Sequence, residues 1–349
     1  MFFLPDNEKI NYMGRIDFSD PKAPVFYFAG SQILFDFSGT SLKIKLNNHT
    51  VWGEVSLGAI IDGEMIKVQL QAENNDKDMT LTVAENLAAG KHTAIIYKKH
   101  AGNQFFVFKG IEADGLLEKP ELPTFKVEAY GDSVCAGEVI EAADYVGKCD
   151  PEGHNSRYDN VWNSFVMQTA RNLGGQIHNI CQGGIALFNG TGYFHSPDYI
   201  GLETTYDKLC YFPEGGELTP WDFKRYIPDI VIIAIGQNDK HNGITDSDDI
   251  DIADPAYREK WKTAYKKFVL DLNEKYGSPK FVLTTTVLMH DAEWDKAIDE
   301  IKDELNAAGV KAYHNLFTRN GAATPGHPRL AEHNEMAEEL TAFIRKNVL

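Results

Sequence analysis

Four short segments carry groups suited to acyl-transfer chemistry. Gly131-Asp132-Ser133 follows a strand expected to end at Tyr130, and a serine there presents its hydroxyl as a nucleophile at the sheet's edge. The glycine is read as permitting a sharp turn. Gly326-His327-Pro328 sets an imidazole just ahead of a C-terminal helix, with Pro328 suited to the first helical position. His327 can then take the serine proton and return it to a leaving alcohol. Ile235-Gly236-Gln237-Asn238-Asp239 closes another apolar run, which makes the Asn238 amide a candidate donor to a developing oxyanion. In Ile180-Cys181-Gln182-Gly183-Gly184-Ile185 a glycine lets a backbone N–H approach the same atom; Gly183 is the chosen donor, with Gly184 as the alternative. Each segment alone has a plainer reading as a turn, and a lone histidine is more often structural. His333, further along the same region, reads as a packing or surface residue.

These segments need a scaffold that gathers strand ends. From about residue 10 to 112 the pattern has period two: Leu42, Ile44 and Leu46 alternate with Lys43 and Lys45, and Met79, Leu81 and Val83 with Thr80 and Thr82. Breaks such as Asp62-Gly63 and Ala89-Gly90 separate short runs, which predicts an antiparallel β-sandwich or jelly roll over residues 1–115. A Pro-containing, charged stretch over 116–124 reads as a linker. In residues 125–349 strands and helices alternate. Strands are expected over Phe125 to Tyr130, Gln176 to Ile180, Ile230 to Ile235, Phe281 to Leu288 and Val310 to Leu316. Helices are expected over Trp162 to Leu173, through Trp261 to Leu272, through Trp294 to Leu305 with Gly309 as cap, and through Met336 to Ile344. Such alternation predicts an α/β domain, a parallel sheet covered by helices on both faces, with its site at the carboxyl ends of the strands.

Composition narrows the partners. The 51 acidic against 34 basic residues leave a formal charge of −17, which repels nucleic-acid backbones and anionic membranes and suits neutral or cationic small partners. At 43% hydrophobic and 24% charged the chain reads as folded and soluble. The opening MFFLPDNEK shows no basic segment followed by a long apolar run, so the expectation is a cytoplasmic protein, or a secreted one if a leader has been removed. Cys135, Cys149, Cys181 and Cys210 are irregularly spaced and read as reduced thiols. No histidine pairing suggests a metal, and no cofactor is expected.

The order Gly-Asp-Ser, Gly, Gly-x-Asn-Asp, His-Pro resembles that of the SGNH (GDSL-like) hydrolases, and no G-x-S-x-G elbow points to the ordinary α/β-hydrolases. An N-terminal sandwich linked to such a domain is similar to carbohydrate esterase family 2, as are Gly14-Arg15, Phe18 to Pro21 and Gly30-Ser31. The resemblance implies a flavodoxin-like SGNH domain, a serine esterase acting on O-acetylated plant polysaccharides, and a small acetylated saccharide as partner. Carried over, Ser133 is nucleophile, His327 base, and Gly183 with Asn238 oxyanion donors. The alternatives are a catalytically inactive glycan-binding protein and a lipid or thioester hydrolase on the same fold.

Two departures stand out. SGNH enzymes usually place an aspartate two or three residues before the histidine, where this chain has Thr324 and Pro325. The expectation is therefore a Ser-His dyad, its imidazole held by a backbone carbonyl as in some family-2 relatives, or an acid recruited from elsewhere. Relatives also often place a sugar-stacking tryptophan where Gly326 stands. The aromatic segment from Phe188 to Trp221, with Tyr193, Phe194, Tyr199, Tyr206, Tyr211 and Phe212, is the candidate substitute; anchoring the loop is its other reading.

Overall fold

The computed structural model describes residues 1–288, 291–319 and 325–349. Its N-terminal part packs a five-stranded against a six-stranded antiparallel sheet. Strand Leu42–Thr50 lies between Gln104–Glu112 and Asp78–Ala84 in the first; Gln32–Ser38, Lys91–Lys98 and Ser56–Ile61 run side by side in the second. Period-two patterning has its expected consequence. Leu42, Ile44 and Leu46 from one sheet and Ile33, Phe35 and Phe37 from the other are fully buried and meet in one core. The last antiparallel strand is Gly115–Leu116, which pairs with Gln32–Ser38.

The C-terminal part holds a parallel sheet of β1 (Phe125–Gly131), β2 (Gly175–Cys181), β3 (Ile230–Ala234), β4 (Lys280–Thr284) and β5 (Ala312–His314), in the order β2-β1-β3-β4-β5. This is the doubly wound, flavodoxin-like order, whose crevice opens where the strand order reverses beside β1. The continuous apolar run of β3 is explained by its two faces. Ile230, Ile232 and Ala234 pack with α2 (Phe165–Asn172) and α5 (Leu330–Asn347), while Val231 and Ile233 pack with α3 (Pro255–Tyr276) and α4 (Ala292–Ala307).

Some expected boundaries move. The helix expected from Trp162 is a 3₁₀ turn, Val161–Asn163, then α2; Ser164 between them is extended, and the Asn160 side chain caps the first turn through the Trp162 N–H. Strand β4 stops at Thr284, whose hydroxyl bonds the Thr285 and Asn315 carbonyls and draws the chain out of the ladder. Pro328 does not open α5. It precedes the N-cap, Arg329, whose backbone N–H donates to Glu332.

The two parts are joined by a buried cation. Arg15, fully buried, donates to the Tyr206 and Lys208 carbonyls at 2.8 and 2.9 Å and to Glu128 of β1 at 3.2 Å. Cys135, Cys181 and Cys210 are buried thiols and Cys149 an exposed one.

Candidate active site

Strand β1 ends at Gly131, Asp132 accepts the Val134 N–H at 3.0 Å as an N-cap, and Ser133 opens α1, the single turn Ser133–Ala136. The glycine is needed here for space rather than for its conformational freedom, since a Cβ at 131 would lie 2.2 Å from the Cys135 Sγ. Across the crevice, His327 Nε2 lies 2.8 Å from Ser133 Oγ. The other ring nitrogen, Nδ1, lies 2.6 Å from the Asp150 carboxylate. A carboxylate, not a backbone carbonyl, therefore holds the imidazole: of the two expectations the geometry takes up the acid recruited from elsewhere and not the dyad. Thr324 lies outside the described residues, and Pro325 lines the cleft beside His327.

Asp150 is itself clamped. Its Oδ1 accepts the His327 backbone N–H at 3.0 Å and the Arg329 guanidinium at 2.8 Å, and Arg329 also donates to the His327 carbonyl. Burial works against its charge, but these hydrogen bonds outweigh it and hold the Asp150 carboxyl well below the usual carboxylate range. For His327, burial disfavours the imidazolium; the Asp150 hydrogen bond and the neighbouring acidic groups overcome this and raise its pKa. Unlike Asp150, Asp132 is pushed up to about 6, by burial.

Gly183 and Asn238 reach the same cleft as Ser133 and His327. Asn238 donates one amide N–H to the Ile185 carbonyl at 3.0 Å, which fixes its plane and leaves the second N–H of the group. The two glycines differ in use. Gly184 has φ +73 and its carbonyl receives the Tyr193 and Phe194 N–H groups at 2.7 and 3.2 Å, so it serves the turn that carries those rings. Gly183 lacks a side chain because Glu138 fills the space: a Cβ there would stand 1.7 Å from Glu138 Oε1. Gln182 tethers the segment, its Oε1 accepting from the Gly102 N–H at 2.7 Å and the Tyr211 hydroxyl at 2.6 Å, its Nε2 donating to the Gly183 carbonyl at 3.0 Å. His333 lies outside the cleft lining, buried, its Nδ1 accepting the Phe165 N–H at 3.1 Å.

The cleft measures about 620 Å³, and both parts of the chain line it. The sandwich supplies Trp52 and the turn Ala101–Asn103, neither of which stood out in the sequence. The aromatic segment splits its roles. Tyr193 and Phe194 line the cleft, whereas Tyr211 and Phe212 are buried against Tyr27, Phe28 and Phe105. Tyr193 and Trp52 are about half exposed, at 49% and 54%.

Known proteins share this build. Residues 12–120 match the family model described as carbohydrate esterase 2 N-terminal. The cellulase/esterase CelE of Acetivibrio thermocellus is 27% identical over 98% of the chain, which spans 40% of that protein's length. The acetylxylan esterase / glucomannan deacetylase of Cellvibrio japonicus is 27% identical, covering 97% of the chain and 88% of that protein. The solved family two carbohydrate esterase from Clostridium thermocellum in complex with cellohexaose superposes with a TM-score of 0.80 at 26% identity, over 97% of this chain and 99% of that one. The chain resembles carbohydrate esterase family 2.

Within that family pattern the two departures seen in the sequence become one. A Cβ at position 326 would meet Asp150 Oδ1 at 2.7 Å and the Asp150 nitrogen and Lys148 carbonyl at 2.8 Å. The loop that delivers the acid thus occupies the place a tryptophan side chain would take. The sandwich supports this loop: Glu54 N–H donates to the Asn155 carbonyl at 2.7 Å, and Asn103 to the Ser156 hydroxyl at 3.1 Å. The only advance signal for Asp150 was an acidic residue in an irregular, Gly- and Pro-containing stretch, which points nowhere by itself.

Proposed function

We propose that the chain is a serine esterase that removes O-acetyl groups from plant-type oligo- or polysaccharides through an acyl-enzyme. The observation that carries this reading is the Ser133–His327–Asp150 relay, with links of 2.8 and 2.6 Å, opening onto a cleft flanked by aromatic rings. Asp150, accepting at Nδ1, keeps the ring proton there and leaves Nε2 free to take the Ser133 proton. Ser133 Oγ attacks the acetyl carbonyl, and the Gly183 N–H and the free N–H of Asn238 receive the developing oxyanion. The imidazolium, favoured by Asp150, gives that proton to the departing sugar oxygen, which leaves as a hydroxyl. His327 then activates water to release acetate and free Ser133.

A saccharide is supported as substrate by Trp52 and Tyr193, whose rings can stack on sugar faces, and by the saccharides named with the relatives. A catalytically inactive binding domain has no need of a carboxylate clamped by His327 and Arg329, and the cleft contains many polar groups for a long acyl chain. Ser133→Ala, which removes one hydroxyl from the cleft wall, is expected to abolish acetate release from acetylated xylo- and manno-oligosaccharides without altering thermal unfolding. Retained acetate release would overturn the reading.

A further inference from the structure

Glu138, one of the acidic side chains lining the cleft, has no part in the relay. Glu138 follows α1 and the left-handed Gly137, at φ +72, and its backbone N–H donates to the Ser133 carbonyl at 3.0 Å. That turn aims its carboxyl between His327 and Gly183. Oε2 lies 4.0 Å from His327 Nε2, and Oε1 borders Gly183 so closely that no other residue fits at 183. The carboxyl therefore stands against Gly183, the residue whose N–H is assigned to the oxyanion, and among the described residues His327 is its nearest charged neighbour.

We propose that Glu138 is a further catalytic residue, entering the reaction as a neutral acid whose hydroxyl donates a hydrogen bond to the acyl oxygen alongside Gly183. The proposal rests on the esterase reading above. No bond to Glu138 forms or breaks: its proton stays on the carboxyl while the Ser133 proton moves to His327. An ionised Glu138 in the same place would oppose the oxyanion, so the protonation state decides whether the residue helps or hinders.

The surroundings favour the neutral form. Burial and the Asp159 carboxylate push Glu138 up to about 8, with Asp132 and Asp150 adding to the effect and His327 acting against it. Asp159 accepts the Val139 N–H at 2.9 Å and lies 3.7 Å from the buried His100, Asp150 is paired with Arg329, and the buried Tyr211 hydroxyl also feels Glu138. Glu138 is protonated below its pKa, so its contribution is present at neutral pH and lost as the pH rises through about 8.

The test is kcat and KM for acetate release from an acetylated oligosaccharide, between pH 6 and 10, for the parent, Glu138→Gln and Glu138→Ala. The parent is expected to lose kcat through an alkaline limb near pH 8. Glu138→Gln, a nearly isosteric donor that does not titrate, should hold kcat within about tenfold at pH 7 and lack that limb. Glu138→Ala should lose kcat by about 100- to 1000-fold at pH 7 with little change in KM, as removal of an oxyanion donor does. Parent-like kcat in Glu138→Ala, or an alkaline limb that persists in Glu138→Gln, would overturn the proposal. Ser133→Ala separates the two claims: activity surviving there refutes the esterase reading, whereas loss there with a normal Glu138→Ala refutes only the role of Glu138.

Discussion

Asp150→Asn tests the recruited acid most directly, because it removes one charge and keeps the volume. Oδ1 of Asp150 takes two donors, the His327 N–H and Arg329, and Oδ2 takes the ring N–H. An asparagine oxygen will keep the two donors, since losing either strands a buried group. Its NH₂ must then face Nδ1, where it is a donor against a donor. The ring responds by carrying its proton on Nε2, the nitrogen facing Ser133, and is no longer a base there. A wrong tautomer of this kind costs about 10⁴-fold in turnover, equivalent to ~5.4 kcal/mol of transition-state stabilisation. The charge that raises the His327 pKa also disappears, so the acid limb of kcat/KM, set by His327 becoming protonated, should move to lower pH in the variant. The assay is steady-state acetate release from pH 5 to 9, with thermal unfolding as a control that Arg329 and its loop remain in place. A variant within tenfold of the parent, or an acid limb that does not move, would refute the reasoning.

Three further outcomes follow from the packing. Gly326→Trp must expel the Asp150 loop from contacts of 2.7–2.8 Å, so turnover should fall about as far as in Asp150→Asn; parent-like activity would show that the loop can yield. Trp52→Ala should raise KM for acetylated oligosaccharides by about 3- to 10-fold, the scale of one aromatic stacking contact, while leaving p-nitrophenyl acetate unaffected; equal effects on both substrates would argue against stacking. Arg15→Ala leaves Glu128 buried without its cation and should lower stability by about 3–5 kcal/mol in urea unfolding, whereas a loss under about 1 kcal/mol would mean that the joint between the two parts is held otherwise.

Sandwich, parallel sheet and the placement of the four candidate segments after strands were legible because each is written in short-range pattern. Leu42, Ile44 and Leu46 declare a half-buried strand by alternation, and Ile230 to Ile235 a strand buried on both faces by continuity. Boundaries were less legible wherever a side chain competes with the ladder or the helix, as Thr284 does at the end of β4 and Asn160 ahead of α2. Pro328 was misplaced for a related reason: the Arg329 and Glu332 pairing, not the proline, sets the start of α5.

By itself the sequence determined which side chains stand at strand ends. In a parallel sheet those ends converge, so Ser133 after β1, Gly183 after β2 and Asn238 after β3 share one cleft once the strand order is set. Only the tertiary structure decided what surrounds them. Asp150 lies 177 residues before the histidine it holds, Trp52 arrives from another sheet system, and Glu138 meets Gly183 through a turn whose direction no periodicity records. Local pattern encodes which face of an element is buried, whereas these contacts join irregular segments far apart in the chain, and their partners are chosen by packing alone.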